Sequence, residues 1–239
     1  MHPSPPKVPS QPVRVDAGGI ALQADLTIPP NAPGIVVFAH GSGSSRLSAR
    51  NRFVAASLVE AGIGTLLVDL LTTAEEHDRT NVFDIGLLAG RLSAIARWLL
   101  LRPDSAGLAL GYFGASTGGG AALVAAAQAD PPVVAVVSRG GRPDLAGEWL
   151  PKVTAPTLLI VGGRDATVLE LNRLAYDRLR CIKRLEVVPG ATHLFEEPGT
   201  LEAVAVLAAD WFRRFLVSHL EGARHASQRS GVRDDDRGH

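Results

Sequence analysis

Six short, almost unbroken apolar runs punctuate the chain, at residues 35–39, 65–71, 108–113, 133–137, 157–161 and 185–188. A strand with one wet face alternates apolar and polar residues, whereas a continuously apolar strand needs cover on both faces. The cover is written between the runs. Helical spacing marks residues 53–61, 84–101, 119–129, 169–179 and 201–217, and in the second of these Leu87, Leu88, Leu92, Ile95 and Leu99 form an apolar stripe that stops before Pro103. Strand and helix in regular alternation predict the α/β class, with a mostly parallel central sheet and helices on both faces. Ahead of it, residues 13–15 and 20–28 read as an antiparallel hairpin turned at Gly18-Gly19.

The 239 residues fit one such domain. Repeated prolines predict that residues 1–12 are an arm outside the sheet, the domain is expected over 13–218, and residues 219–239 are expected to be a polar, disordered tail. Acidic and basic residues balance at 24 each, which argues against a nucleic-acid partner or an anionic membrane surface. No apolar stretch approaches the roughly 20 residues needed to span a bilayer. The start, Met1-His2-Pro3-Ser4-Pro5-Pro6, lacks the apolar core of a secretion signal, so a cytoplasmic location is expected. A single cysteine, Cys181, precludes an internal disulfide and reads as a packed thiol.

The third apolar run leads into Gly114-Ala115-Ser116-Thr117-Gly118 and then an Ala-rich helix. This is the strand, turn and helix context of a G-x-S-x-G nucleophile elbow, in which glycines let a sharp turn lift the serine hydroxyl clear of the backbone. Glycine-rich helix starts also serve plain close packing, and two residues later in the chain favour the elbow over that reading. Asp165 comes just after the fifth run and His193 after the sixth, giving the order serine, acid, base on loops after late strands. In a parallel sheet such loops meet at the carboxyl ends of the strands, where ligands bind.

A serine hydroxyl needs a base to take its proton, and a neutral imidazole held by a carboxylate is suited to the task. His193 is the expected base and Asp165 the orienting acid, with Asp144 as the competing acid. The oxyanion of a tetrahedral intermediate needs backbone donors, expected from Thr117, directly after the nucleophile, and from Ser42 in His40-Gly41-Ser42-Gly43-Ser44-Ser45. His40 is read as a prop for that loop. Arg46, Arg50 and Arg52 after the expected oxyanion loop, and Arg139 and Arg142 after the fourth run, have two readings: substrate-binding guanidinium groups, with Arg46, Arg139, Arg142 and His40 as the leading candidates, or braces paired to nearby carboxylates, which is slightly favoured. The charged stretch Glu75-Glu76-His77-Asp78 lacks a regular metal-ligand spacing and reads as a solvated loop, so no metal is expected.

With these residues in view, the chain resembles the dienelactone hydrolase-like branch of the α/β-hydrolases, in particular a bacterial serine-containing group sometimes fused to phosphoribosyltransferases. The segments that carry the resemblance are His40 to Arg46, Gly111 to Gly120, Ser138 to Asp144 and His193 to Gly199. It implies an α/β-hydrolase fold of about eight strands over residues 13–218, and hydrolysis of carboxylic esters or lactones without metal or organic cofactor. The short segment leading to Trp149 and Leu150 allows a small cap or none, and with few aromatic residues it points to small or medium substrates. One departure stands out. Dienelactone hydrolases proper use a cysteine nucleophile, and this chain has Ser116, which moves the expectation toward ordinary esterase chemistry. The rival readings are a non-catalytic ligand-binding protein on the same fold and an acyltransferase using the same triad.

Overall fold

The computed structural model describes residues 8–231, with side chains to residue 222. Eight strands form one sheet in the order β1-β2-β4-β3-β5-β6-β7-β8. They are β1 (Gln11–Asp16), β2 (Ala21–Thr27), β3 (Gly34–Ala39), β4 (Gly64–Val68), β5 (Ala109–Ala115), β6 (Ala135–Arg139), β7 (Thr157–Gly162) and β8 (Lys183–Val188). β2 pairs antiparallel with β1 and with β4, and every pair from β4 to β8 is parallel. β1 begins at Gln11 and includes Pro12, ahead of the expected boundary at residue 13. As an edge strand it can carry a residue with no N–H to donate.

The helices are α1 (Ala49–Glu60), α2 (Thr73–Glu76), α3 (Arg79–Phe83), α4 (Ile85–Leu101), α5 (Thr117–Gln128), α6 (Ala166–Arg178) and α7 (Thr200–Gly231), with a 3-10 segment at Pro143–Lys152. β3 shows how they divide between two layers. Val36 and Phe38 point into the cluster beneath α1 and α7, while Ile35, Val37 and Ala39 point into the cluster beneath α4 and α5. Gly111 on β5 admits the ring of Phe212 from α7, since a Cβ there would press on the ring edge. Burying one such ring contributes about 2–3 kcal/mol.

The sequence boundaries differ from the observed ones where capping, not apolar spacing, sets the end. α1 starts at Ala49, ahead of the apolar spacing at residue 53, because the Ser48 hydroxyl accepts the Asn51 N–H. The stretch read as a solvated loop, Glu75 to Asp78, includes the end of α2, which starts at a Thr72–Glu75 capping box, and leads into α3, capped by Asp78. α7 continues past Val217 to Gly231, through residues that carry no proline to stop it. Residues 1–7 of the expected arm and 232–239 of the expected tail lie outside the described residues. No helix among the described residues is long and apolar enough to cross a membrane.

Chain order reverses at β3: the chain leaves to β4 on one side and returns to β5 on the other. The loops after β3 and β5 therefore face one another across the switch point where α/β sheets bind ligands.

Candidate active site

Ser116 joins β5 to α5 with φ 51° and ψ −124°, a conformation that side-chain-bearing residues rarely adopt. Its neighbours make the turn possible. A Cβ on Gly118 would overlap the Ala39 carbonyl at the end of β3, and one on Gly114 would collide with the backbone at Gly118 and Gly119. The turn is held by backbone bonds to the end of β6: the Ser116 N–H reaches Arg139 O at 3.4 Å, and the Arg142 N–H reaches Ser116 O at 2.9 Å. Ser116 Oγ makes no capping bond to α5.

His193 and Asp165 come from the loops after β8 and β7. Gly162 lets those loops meet, because a Cβ there would strike the Ala191 and Thr192 carbonyls, and the Arg164 N–H ties them by donating to Ala191 O at 2.9 Å. The result is a hydrogen bond of 2.6 Å between His193 Nδ1 and Asp165 Oδ2. A carboxylate only accepts, so Nδ1 carries the proton and the Nε2 lone pair faces away from Asp165. Asp165 is largely buried, while the His193 side chain is 39% exposed. Below the histidine, Phe195 is 2% exposed with φ 55° and pins the loop into the core. Asp144, the competing acid, is held bidentately by Arg142 at 2.8 and 2.7 Å.

Ser116 and His193 line one cavity of about 230 Å³ together with Gly41, Ser42, Ser48, Arg50, Arg139 and Leu194. Across the loop after β3 lies a second cavity of about 370 Å³, whose walls include Leu71, Glu76, Val82, Leu88 and Thr117. Gly41 brings that loop against Ser116, since a Cβ would touch Ser116 Cβ. His40 fixes the loop from behind. Its Nε2 accepts the Leu70 N–H at 3.0 Å, so its Nδ1 donates to Gly41 O, also at 3.0 Å. The Ser42 N–H, one of the two expected oxyanion donors, points at the Thr117 hydroxyl at 3.0 Å.

The arginines part company. Arg46 braces the loop: its backbone N–H and its Nη1 both reach the Asp69 carboxylate, at 2.7 and 2.6 Å, and its Nε lies 3.7 Å from Asp25. Arg142 is occupied by Asp144. Only Arg139 of the three lines the Ser116 cavity. Sequence reasoning missed Asn51, whose Oδ1 accepts from Arg139 Nη2 at 3.3 Å, and did not foresee that Arg50, one of the flanking arginines, reaches Glu196 beyond His193 at 3.1 Å. These contacts join residues 88 and 146 positions apart, and no local pattern signals them. An asparagine flanked by two arginines just ahead of an expected helix was the one hint in the sequence.

Comparison with known proteins places this geometry in context. The family model described as the dienelactone hydrolase family matches residues 22–217. A Mycobacterium tuberculosis protein that carries a provisional phosphoribosyl transferase name is 61% identical over 217 residues, covering 91% of this chain and 48% of the relative. The chain thus spans about half the length of the curated relatives it matches. The crystal structure of a dienelactone hydrolase from Anabaena variabilis superposes with a TM-score of 0.85 at 57% identity, covering 87% of this chain and 98% of that one. An α/β serine hydrolase without a lid from Xanthomonas campestris shares the fold, with a TM-score of 0.70 at 23% identity over 89% of this chain and 97% of its own.

Proposed function

The chain belongs to the dienelactone hydrolase family, and from that premise we propose that it is a serine hydrolase that cleaves small carboxylic esters or lactones through an acyl-enzyme on Ser116. The observation that carries the reading is the 2.6 Å bond between His193 and Asp165 on the wall of the cavity that also holds Ser116. A strained elbow whose hydroxyl makes no capping bond supports it.

In this mechanism His193 Nε2 takes the Ser116 proton as Oγ bonds to the substrate carbonyl carbon. Asp165 holds the imidazolium that results. The negative oxygen of the tetrahedral intermediate is received by the N–H groups of Thr117 and Ser42, at the amino end of α5, where the helix dipole favours negative charge. Collapse breaks the ester C–O bond, and the imidazolium returns its proton to the leaving alkoxide. Water then attacks the acyl-enzyme with His193 as base, which regenerates Ser116 and releases the acid. No metal or organic cofactor enters these steps. The half-exposed imidazole gives water ready access, which favours hydrolysis over transfer of the acyl group to another acceptor.

The test is intact-mass analysis after reaction with a fluorophosphonate, on wild type and Ser116→Ala, beside turnover of 4-nitrophenyl acetate and butyrate. A single adduct absent from the variant, together with turnover, is the expected result. Folded protein that takes no adduct and turns over neither ester would make a ligand-binding role the better reading. Formation of a new ester with an added alcohol, in preference to acid, would point to the acyltransferase.

A further inference from the structure

β8 is the last strand of the sheet, and among the described residues it pairs with β7 alone. The Thr157 N–H donates to Ile182 O at 2.8 Å, and the Gly163 N–H donates to Val188 O at 2.9 Å. Peptide groups alternate in direction along a strand, so residues 182, 184, 186 and 188 turn toward β7 while the N–H and C=O groups of Lys183, Leu185 and Val187 face outward. Such an edge is a template for a further strand, and monomeric folds blunt it with proline, bulges or outward lysines. β1, at the other edge, carries Pro12. β8 contains no proline, and its one lysine is turned away: Lys183 Nζ donates to the Tyr176 and Leu179 carbonyls at the end of α6, at 2.5 and 2.8 Å. Ile182 and Val187 are 58% and 40% exposed beside the open edge.

The charges on β8 fit a second β8. Arg184 and Glu186 lie on one face of the strand and pair with each other, with side chains 59% and 26% exposed. In an antiparallel pair centred on Leu185, the outward groups of the two Leu185 residues bond to one another, and those of Lys183 bond to Val187 of the second copy. Arg184 then stands in the closer, non-hydrogen-bonded position opposite Glu186 of the second copy, and Glu186 stands opposite Arg184 of the second copy. The four charges alternate in sign around a square. Moving the axis to Arg184 or to Glu186 sets like charges opposite each other, so the charge pattern specifies the register.

We propose that β8 is a dimerisation edge whose occupant is β8 of a second copy of this chain, antiparallel and in the Leu185 register, so that two sheets join into one. Antiparallel pairing points the carboxyl ends of the two sheets in opposite directions. The loops that carry Ser116 and His193 in each copy therefore stay clear of the other, and assembly is read without turnover. A pair of strands is a small interface, so a dissociation constant of about 1–100 μM is expected.

Sedimentation velocity across that range tests it. The wild type should pass from the mass of one chain to the mass of two. Arg184→Glu makes the pair of positions wholly acidic and Glu186→Arg makes it wholly basic, and each variant alone should raise the dissociation constant by about tenfold or more. An equimolar mixture of the two variants should recover the dimer, because every cross-strand pair is again of opposite sign although neither chain keeps its internal pair. The double variant Arg184→Glu/Glu186→Arg exchanges the charges, keeps both kinds of pair and should dimerise as the wild type does. A wild type that keeps the mass of one chain throughout, a dimer that both single variants leave unchanged, or a mixture and a double variant that stay monomeric would each overturn the proposal.

Discussion

The backbone N–H of Ser42 donates to the hydroxyl of Thr117 across 3.0 Å, so one expected oxyanion donor is engaged by the side chain of the residue that carries the other. That hydroxyl can work in two ways. It can pass the polarisation on, accepting from Ser42 and donating its own proton to the oxyanion, or it can merely hold the N–H until substrate displaces it. Thr117→Val removes the hydroxyl at constant shape and separates the two. Relay predicts a kcat lower by about 10²-fold with KM little changed, and near-normal kcat in Thr117→Ser. A kcat in Thr117→Val equal to or above wild type, from steady-state kinetics on 4-nitrophenyl butyrate, would assign the hydroxyl to holding alone.

Asp165 and Asp144 are alike in sequence, each an acid after a late strand, yet they meet different partners. Asp165 binds His193 Nδ1, while both oxygens of Asp144 are taken by Arg142. Asp165→Asn should therefore present the wrong tautomer and lower kcat by about 10³–10⁴-fold. Asp144→Asn should keep turnover and lose only part of its bond to Arg142, a half-exposed pair worth at most about 1 kcal/mol. Paired kinetic and melting measurements on the two variants check both halves.

The same comparison shows how far the sequence could be read. The elbow, the sheet's mostly parallel strands and the Ser116, Asp165, His193 order are local signals: a five-residue pattern, unbroken apolar runs, and acids and bases just after them. The fates of the arginines are not local. Arg139 and Arg142 stand in one loop, and what separates them is a carboxylate two residues from Arg142 and an asparagine 88 residues from Arg139. The Ser42–Thr117 contact spans 75 residues and exists only because β3 and β5 are neighbours. Helix α2 escaped for a different reason. Its Thr72–Glu75 capping box stabilises a single turn with no buried residue, and hydrophobic periodicity has nothing to register there.

That capping box carries a pH dependence. Burial pushes the Glu75 carboxyl up, but the Thr72 N–H and hydroxyl and the Arg91 guanidinium together outweigh it and hold Glu75 below its ordinary 4.5. A carboxyl whose folded pKa is depressed contributes stability above its unfolded pKa and loses it as pH falls through the lower folded value. Glu75→Gln should cost about 1 kcal/mol at pH 7. The gap to wild type should close on titration below pH 4.5. Urea unfolding of both proteins across that range measures it, and a gap that widens in acid would refute the assignment.

The strain at Ser116 predicts that removing its side chain stabilises the fold. At φ 51° and ψ −124° a Cβ is costly and glycine is at home. The hydroxyl contributes no capping bond whose loss would offset the relief. Ser116→Gly should accordingly gain about 1 kcal/mol, or a Tm higher by about 2–4 °C in a domain of this size, with turnover abolished. Ser116→Ala keeps the Cβ in the strained conformation and should be equally inactive with little gain in Tm. Melting curves of the three proteins decide the matter. A Ser116→Gly variant that melts below wild type would mean that the elbow is unstrained and that the turn is fixed by packing alone.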